Sequence, residues 1–258
     1  MSEGTVHLEI QGQIATVTFD RPQERNAMTW AMYGRLGEIC EQLRRDHAVR
    51  VVLFRGAGGK AFVAGTDIAQ FLEFRSGGDG VAYEHRIDLC ISTPESLPMP
   101  TIALVEGWAV GGGAAIATAC DFRIATPESK FGVPIAKTLG NCLSMANMAR
   151  LVQAFGAQRV RRMLLLAEMV TADEALACGY LHAVVDSGML QAEGELLGKK
   201  LAALAPVTQS VAKEALRRLQ QHHLPDAEDL IRRAYASSDF QEGVRAFTVK
   251  RPPVWTGE

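Results

Sequence analysis

The sequence predicts an α/β fold that is built from short buried strands and from apolar or amphipathic helices. Twice, over residues 51–68 and 101–116, a short apolar run leads into a glycine-rich loop that begins a helix. From Ser144 onward apolar residues recur at helical spacing, so helices dominate the rest of the chain. With 258 residues, of which 48% are hydrophobic and 22% charged, the chain is long enough to bury a full core without disulfides or metals.

The N-terminal residues predict a β-hairpin. The segments VHLEI, residues 6–10, and Ile14–Asp20 are alternating or β-branched and flank a Gln-Gly-Gln turn. Thr29 is a suitable N-cap, which predicts a helix that runs to about Asp46. The run VRVVLFRG then ends in glycine and predicts a buried strand.

Glycine-rich segments separate the elements that are predicted in the middle of the chain. The loop GAGGKAFVAGTD precedes a helix that is expected from about Ile68, and FRSGGDG is expected to be a flexible break before a helix around Tyr83–Ser96. The run PTIALVEG predicts a second buried strand. No low-complexity linker divides the chain. Further helices are expected in the segments MANMARLVQAF, AQRVRRMLLLA, ADEALACG, Met189–Leu204 and VTQSVAKEALRRLQ.

Charge and cysteine usage exclude several classes of function. A net charge of −2 gives no electrostatic footprint for nucleic acid or for an anionic membrane. The five cysteines are scattered and form no C-x-x-C pair, which favours free thiols in a reducing compartment. The N-terminal segment has no signal-peptide pattern, and no window approaches the ~20 apolar residues of a membrane span. These features predict a cytoplasmic protein.

Several familiar site motifs are absent. GAGGKAF lacks the spacing of a phosphate-binding P-loop, and GWAVGGG does not match the dinucleotide fingerprint G-x-G-x-x-G. The sequence has neither a G-x-S-x-G nucleophile elbow nor an H-E-x-x-H zinc motif. We therefore predict no metal site.

The stretch WAVGGGAAIATACDF, residues 108–122, suggests a site made of backbone rather than of side chains. Three glycines open an apolar helix, whose first N–H groups have no acceptor within the helix and lie at its positive end. Two such strand-to-helix junctions that converge would stabilise a carbonyl oxygen as it becomes an enolate. The alternative is that the glycines only allow the helix to pack closely on a strand.

Three segments together resemble the crotonase, or enoyl-CoA hydratase/isomerase, superfamily. They are AFVAGTDI, then PTIALVEGWAVGGGAAIATACDFRIAT, then KFGVPIAKTLG, and the similarity extends from RPQERNAM to FQEGVRAFTVKR. The resemblance implies a spiral of repeated ββα units over residues 1–200. It also implies a helical region over residues 201–258 that packs subunits into homotrimers, often paired as homohexamers.

The resemblance further implies an acyl-CoA thioester as ligand, with coenzyme A as part of the substrate and no separate cofactor. The oxyanion hole would be formed by the backbone N–H groups of Thr66 and Gly112, and Asp67 would cap the following helix. Lys60 and Arg251 are weaker candidates for phosphate contacts. The residues that match positions contacting coenzyme A in relatives are Asn26, Ala27, Ala61, Phe62, Ala64, Phe247 and Lys250.

The chain departs from the hydratase pattern at two positions. Where hydratases of this superfamily carry paired glutamates that handle water and a proton, this sequence has Ala115 and Ile135. A standard hydratase mechanism is therefore not expected. By alignment with other relatives, replacement acid, base or hydroxyl groups would come from Asn141, Cys142, Ser144, His85 or Asp88, although each has an ordinary structural explanation.

Three functions remain open from the sequence. The first is a different acyl-CoA reaction of the superfamily, of the lyase or isomerase class, that proceeds through a thioester enolate. The second is an acyl-CoA-binding protein that has kept the oxyanion hole and lost its chemistry. The third is a nucleic-acid-binding relative, which the near-neutral charge disfavours.

Overall fold

The computed structural model describes residues 3–222 and 224–257. The strands, in chain order, are β1 Thr5–Gln11, β2 Ile14–Asp20, β3 Val51–Gly56, β4 Ala61–Val63, β5 Thr101–Val105, β6 Trp108–Val110, β7 Phe122–Ala125, β8 Lys130–Gly132, β9 Val170–Thr171 and β10 Ala183–Val184. The helices are α1 Trp30–Arg45, α2 Gly77–Glu95, α3 Gly112–Ala119, α4 Ile135–Thr138, α5 Met145–Phe155, α6 Ala157–Leu165, α7 Ala172–Ala177, α8 Leu190–Ala202, α9 Pro206–Gln221, α10 Glu228–Ala236 and α11 Ser238–Thr248. Short 3₁₀ helices lie at Pro22–Glu24, Ile68–Phe71 and Ser187–Met189.

The strands form two sheets. One has the order β1-β2-β3-β5-β7-β10, and the other has the order β4-β6-β8-β9. Successive units, β3-β4-α2, β5-β6-α3 and β7-β8-α4, each give one strand to the first sheet and one to the second before a helix follows. Within each sheet these strands pair in parallel with those of the next unit. The predicted α/β class and the spiral of ββα units are confirmed.

The central strands are apolar because both faces of the first sheet are covered. Strand β5 is buried along its whole length, as expected for a parallel strand between layers. On one face, α8 packs on side chains of β3 and β5 around Leu53 and Leu104. On the other face lies the main core, which contains α1, α2 and α3. The helix N-termini that form the site described below lie in this core.

Local signals predicted the first elements correctly. The hairpin pairs Thr5 with Asp20 through to Gln11 with Ile14. The Thr29 hydroxyl accepts a hydrogen bond from the Met32 N–H, so it caps α1 as expected. In contrast, β4 and β6 lie inside stretches that were expected to be loops. Strands of three residues are too short to show an alternating pattern, and they form because neighbouring strands pair with them.

The helix expected from about Ile68 begins there but is short, and the flexible break expected at residues 74–80 was wrong. A single 3₁₀ turn covers Ile68–Phe71, capped by the predicted Asp67, and α2 begins at Gly77 rather than near Tyr83. Ser76 and Asp79 form a capping box there. The glycines are needed for close contact, since a Cβ on Gly80 would overlap the Tyr235 ring of α10.

Gly80→Ala is therefore expected to lower the free energy of unfolding by roughly 1–3 kcal/mol, the usual effect of overpacking. Its matched control is Gly34→Ala in α1, where an added Cβ would meet no atom within 4 Å. That control should raise stability by roughly 0.5–1 kcal/mol because alanine is the better helix former. Urea denaturation of both variants tests this. Equal effects of the two substitutions would contradict the close helix contact.

The C-terminal helices pack on their own chain. Helix α10 makes its main contact with α2, and α11 packs on the Ile68–Phe71 turn and on α4. Helix α8 runs across the expected boundary at residue 200. The division into residues 1–200 and 201–258, and the association into trimers or hexamers, stay predictions. Among the described residues, no helix is both long and apolar enough to cross a membrane.

Candidate active site

The two backbone groups expected to form an oxyanion hole are both unpaired. Two hydrogen bonds join Met28 to the residues on either side of Thr66 and form an isolated parallel β-bridge. The Met28 N–H donates to Gly65 O at 2.8 Å, and the Asp67 N–H donates to Met28 O at 2.9 Å. The N–H of Thr66 itself has no acceptor among the described residues. Gly112 is the first residue of α3, so its N–H also lacks an acceptor within the helix.

The glycines of the triplet have different purposes. Gly111 has φ of 54°, which favours glycine, and turns the chain from β6 into α3. A Cβ on Gly112 would lie 3.8 Å from the Thr66 nitrogen, so the two unpaired N–H groups are neighbours. A Cβ on Gly113 would overlap the backbone carbonyl of Val63. Close packing, the alternative left open by the sequence, therefore applies at Gly113, whereas the oxyanion role of the Gly112 N–H stays a prediction.

These groups open into a cavity, here called the central pocket, which lies between the Ala64–Thr66 loop, α2, the start of α3 and α4. The positions where hydratases were expected to differ, Ala115 and Ile135, both line it. Its walls are mainly apolar; they include Ile68, Phe71, Ile87, Val110, Val133, Leu139, Leu143 and Phe247. The pocket is thus mainly apolar, with a few polar side chains such as Thr66 and Asn141.

Glu84 is the carboxylic acid among the residues that line the central pocket. Only 2% of it is exposed. Its Oε1 accepts a hydrogen bond from the Tyr235 hydroxyl at 2.6 Å, and its Oε2 accepts one from the Ser144 N–H at 2.9 Å. Burial raises the pKa of Glu84 to about 7, although these two hydrogen bonds lower it. The group can therefore exchange a proton near neutral pH.

Asn141 also faces the central pocket. Its Nδ2 donates to the Tyr235 hydroxyl at 3.3 Å, whereas its Oδ1 is buried without a hydrogen-bond partner in the described part of the chain. Buried polar atoms are nearly always paired, so an unpaired acceptor at this place is available to a ligand or to water. The structure thus leaves Asn141 a candidate binding group.

Three hydroxyl groups meet beside the Thr66 N–H. The Tyr83 hydroxyl donates to Thr66 Oγ1 at 3.0 Å, and the Tyr33 hydroxyl lies 3.0 Å from the same atom. Burial raises the pKa of both tyrosines, so both keep their protons. Their rings are held by Trp30, whose centroid is 5.7 Å from that of Tyr33 and 5.8 Å from that of Tyr83. We call Thr66, Tyr33 and Tyr83 the hydroxyl cluster.

Most of the acid, base and hydroxyl candidates named from the sequence stabilise the fold or are exposed to solvent. Asp88 is not among the residues that line the central pocket; it accepts hydrogen bonds from Ser144 Oγ at 2.6 Å and Asn147 Nδ2 at 3.1 Å. Ser144 caps α5. Burial raises the pKa of the Cys142 thiol to about 12, which keeps it protonated. The side chain of His85 is 61% exposed beside Glu228.

The residues expected to contact coenzyme A divide into two groups. Ala64 and Phe247 line the central pocket. The Asn26 side chain is fully buried, and it accepts from the Arg21 N–H and donates to the carbonyls of Ala57 and Ala61. For Asn26 and Ala27 the resemblance implies contact through the backbone, and that contact stays a prediction.

The remaining candidates for contacts with coenzyme A are not among the residues that line the central pocket. The side chains of Ala61 and Phe62 belong to the core. Ala27 is half-buried, and its carbonyl accepts from Arg21. Lys60 and Lys250 are exposed and face solvent. The Arg251 guanidinium is bound to both carboxylate oxygens of Glu242, so it is not a free phosphate ligand.

Glu84 is the residue that sequence reasoning missed, and a signal for it existed. Positions 80, 84, 87 and 91 form the buried stripe of α2, and Glu84 is a carboxylate in the middle of it. The candidates chosen from this helix are outside the stripe, since His85 is exposed and Asp88 is half-buried. Because α2 was expected to begin six residues later, its buried face could not be assigned.

A second cavity lies where α9 begins, near Pro98–Pro100. With about 380 Å³ it is larger and more open than the central pocket, which has about 140 Å³. It contains none of the unpaired N–H groups described above. We therefore place the candidate site in the central pocket.

Comparison with known proteins agrees with this geometry. The family model described as Enoyl-CoA hydratase/isomerase matches residues 9–258. The chain belongs to this family. Among its relatives, a short-chain-enoyl-CoA hydratase of Clostridium acetobutylicum is 30% identical over 97% of both chains.

Solved structures of the enoyl-CoA hydratase/isomerase family superimpose over nearly the whole chain. A methylmalonyl-CoA decarboxylase in complex with 2-nitronate-propionyl-CoA has a TM-score of 0.90 and 27% identity, with 98% of each chain covered. An enoyl-CoA hydratase/carnithine racemase from Magnetospirillum magneticum has a TM-score of 0.79 and 34% identity, with 100% of this chain and 97% of that one covered. The crotonase resemblance seen in the sequence is confirmed.

Proposed function

We propose that this family member binds an acyl-CoA thioester in the central pocket and decarboxylates a 2-carboxyacyl-CoA of the methylmalonyl-CoA type. The observation that carries the proposal is the combination of two unpaired N–H groups, at Thr66 and Gly112, with apolar side chains at Ala115 and Ile135. The first feature stabilises an enolate. The second leaves no acid pair to activate water.

Decarboxylation needs little more than this pocket offers. The electrons of the bond between the α carbon and the carboxylate move into the thioester, CO₂ leaves, and the thioester oxygen becomes an enolate oxygen. Each backbone donor aimed at that oxygen contributes about 3–4 kcal/mol to stabilisation of the transition state. Apolar walls also destabilise the substrate carboxylate, whereas the charge that passes to the enolate oxygen is held by the two N–H groups.

The enolate must then take up one proton at the α carbon. Glu84 is placed to supply it, because it lines the pocket and its pKa of about 7 leaves about half of it protonated at neutral pH. In its neutral form Glu84 also avoids repelling the substrate carboxylate. Loss of CO₂ followed by uptake of this proton gives the shortened acyl-CoA thioester.

The relatives support an acyl-CoA substrate but differ in reaction. The methylmalonyl-CoA decarboxylase resembles this chain with a TM-score of 0.90, whereas the Clostridium acetobutylicum relative, with 30% identity, is a short-chain-enoyl-CoA hydratase. Hydration of a 2-enoyl thioester would require groups that orient and deprotonate water, and the pocket has alanine and isoleucine at the expected positions. This favours decarboxylation.

The test is a stopped assay of the purified protein against methylmalonyl-CoA, malonyl-CoA and crotonyl-CoA, analysed by mass spectrometry. We expect release of CO₂ and formation of propionyl-CoA or acetyl-CoA, without hydration of crotonyl-CoA. Hydration of crotonyl-CoA that is abolished by Gly112→Pro would overturn the proposal. Tight binding of all three thioesters without any product would favour the acyl-CoA-binding protein instead.

A further inference from the structure

The hydroxyl cluster contains one proton more than its internal hydrogen bonds use. Thr66, Tyr33 and Tyr83 carry three hydroxyl protons, and two hydrogen bonds join them. Both bonds meet at Thr66 Oγ1, which can accept two and donate one. No other hydrogen-bond partner of these three hydroxyls is found in the described part of the chain.

The location of the extra proton follows from the same bonds. If both tyrosines donate, the free proton is on Thr66; if Thr66 donates to Tyr33, it is on Tyr33. Both oxygens lie at the start of α3, because a Cβ on Gly112 would be 2.7 Å from the Tyr33 hydroxyl and 3.4 Å from Thr66 Oγ1. Thr66 also lines the central pocket. Tyr33 is not among the residues that line the pocket, so the arrangement that offers a proton to a ligand is the one in which both tyrosines donate and Thr66 keeps the free proton.

A buried donor without an acceptor costs free energy, so this arrangement needs an explanation from outside the cluster. Only 2% of Tyr33 and 8% of Tyr83 is exposed, and neighbouring rings fix their positions. Thr66 is instead half-buried and lines the central pocket, so its free proton can point to water or to a ligand there. A ligand oxygen in the central pocket would satisfy it.

We propose that the hydroxyl cluster donates a hydrogen bond to an anionic oxygen of the bound acyl group, next to the backbone oxyanion hole. This rests on the proposed function and adds a side-chain donor to it. The oxygen is either the substrate carboxylate or the enolate oxygen that forms from the thioester. Thr66 thereby selects an anionic acyl group over a neutral one of the same size.

The test measures binding by calorimetry, so that it remains readable even if the protein decarboxylates nothing. Three ligands are compared: the 2-carboxypropyl thioether of coenzyme A, which has a carboxylate but no thioester carbonyl, 2-nitronate-propionyl-CoA, which is anionic beside a thioester, and the neutral S-propyl-CoA. We expect Thr66→Val to weaken at least one anionic ligand about tenfold or more, the effect of losing a hydrogen bond to a charged group. Affinity for S-propyl-CoA should not change.

Two further variants test whether the Thr66 hydroxyl supplies the free proton. Thr66→Ser keeps the hydroxyl and should restore the affinity. Tyr33→Phe leaves Tyr83 as the donor to Thr66 Oγ1, so the Thr66 proton stays free in the pocket and the preference for anionic ligands should survive. Loss of affinity for the carboxypropyl thioether assigns the bond to the carboxylate, and loss for the nitronate alone assigns it to the enolate oxygen.

The proposal would be overturned if Thr66→Val weakened the anionic and neutral ligands equally, or neither. It would also be overturned if Tyr33→Phe removed the preference as fully as Thr66→Val did. Failure of the decarboxylation assay with this preference intact would instead count against the proposed reaction alone.

Discussion

Gly112→Pro should lower kcat by roughly 10²–10³-fold, since proline has no N–H and one of the two oxyanion donors is lost. Proline is well tolerated at the first position of a helix, which is where Gly112 lies in α3. The effect should therefore fall on the reaction rather than on the fold. Steady-state kinetics with the thioester that the stopped assay identifies as substrate measures it.

The matched control is Gly112→Ala, which keeps the N–H but adds the same Cβ. That atom would lie 2.7 Å from the Tyr33 hydroxyl, so both variants disturb the hydroxyl cluster to a similar degree. The difference in kcat between the proline and alanine variants isolates the backbone donor. Equal kcat values for the two, with both variants folded by circular dichroism, would exclude Gly112 from the oxyanion hole.

Glu84→Gln should reduce kcat by roughly 10²–10⁴-fold, the usual contribution of a general acid. In the unsubstituted protein, kcat/KM should fall about tenfold per pH unit above pH 7, because the proton donor is then lost. The variant should show no such decline. The measurement is kcat/KM from pH 5 to pH 9.

Tyr235→Phe is the positioning control for Glu84. The Tyr235 hydroxyl donates to Glu84 and stabilises the carboxylate, so its removal should raise the pKa of Glu84 and move the decline in kcat/KM to higher pH. A purely structural role for Tyr235 would lower activity without moving the profile. A profile that is unchanged in Glu84→Gln would exclude Glu84 as the proton donor.

Glu84 also makes the free energy of unfolding depend on pH. The pKa of Glu84 is raised on folding, so the folded state binds the proton more tightly than the unfolded state. Its contribution is therefore present at low pH and is lost as pH rises from about 4.5 through 7, by about 3 kcal/mol. This loss should be absent in Glu84→Gln, which chemical denaturation at pH 5 and pH 8 can compare.

The sequence predicted elements whose signals are local. The hairpin and α1 follow from alternation and from the cap at Thr29, and neither depends on distant residues. The backbone donors at Thr66 and Gly112 followed from the glycine-rich junctions together with the family resemblance. The direction of a helical side chain could be predicted only where the boundaries of the helix, and so its buried face, were known.

The remaining parts of the site depend on contacts that span the chain. The Glu84 carboxyl is paired with Tyr235, 151 positions away, and its raised pKa follows from burial that the C-terminal helices provide. The hydroxyl cluster joins Tyr33 and Thr66, 33 positions apart. Neither contact leaves a periodic or motif signal. Strand β4 likewise forms only because it pairs with β6.

The central claim is that the backbone N–H groups of Thr66 and Gly112 hold the thioester oxygen. A crystal structure with 2-nitronate-propionyl-CoA tests it most directly. We expect the thioester oxygen at 2.7–3.1 Å from both nitrogens, the usual distance for oxyanion donors, with the acyl group against Ala115 and Ile135. A thioester oxygen bound elsewhere, with either nitrogen left without a ligand, would contradict it.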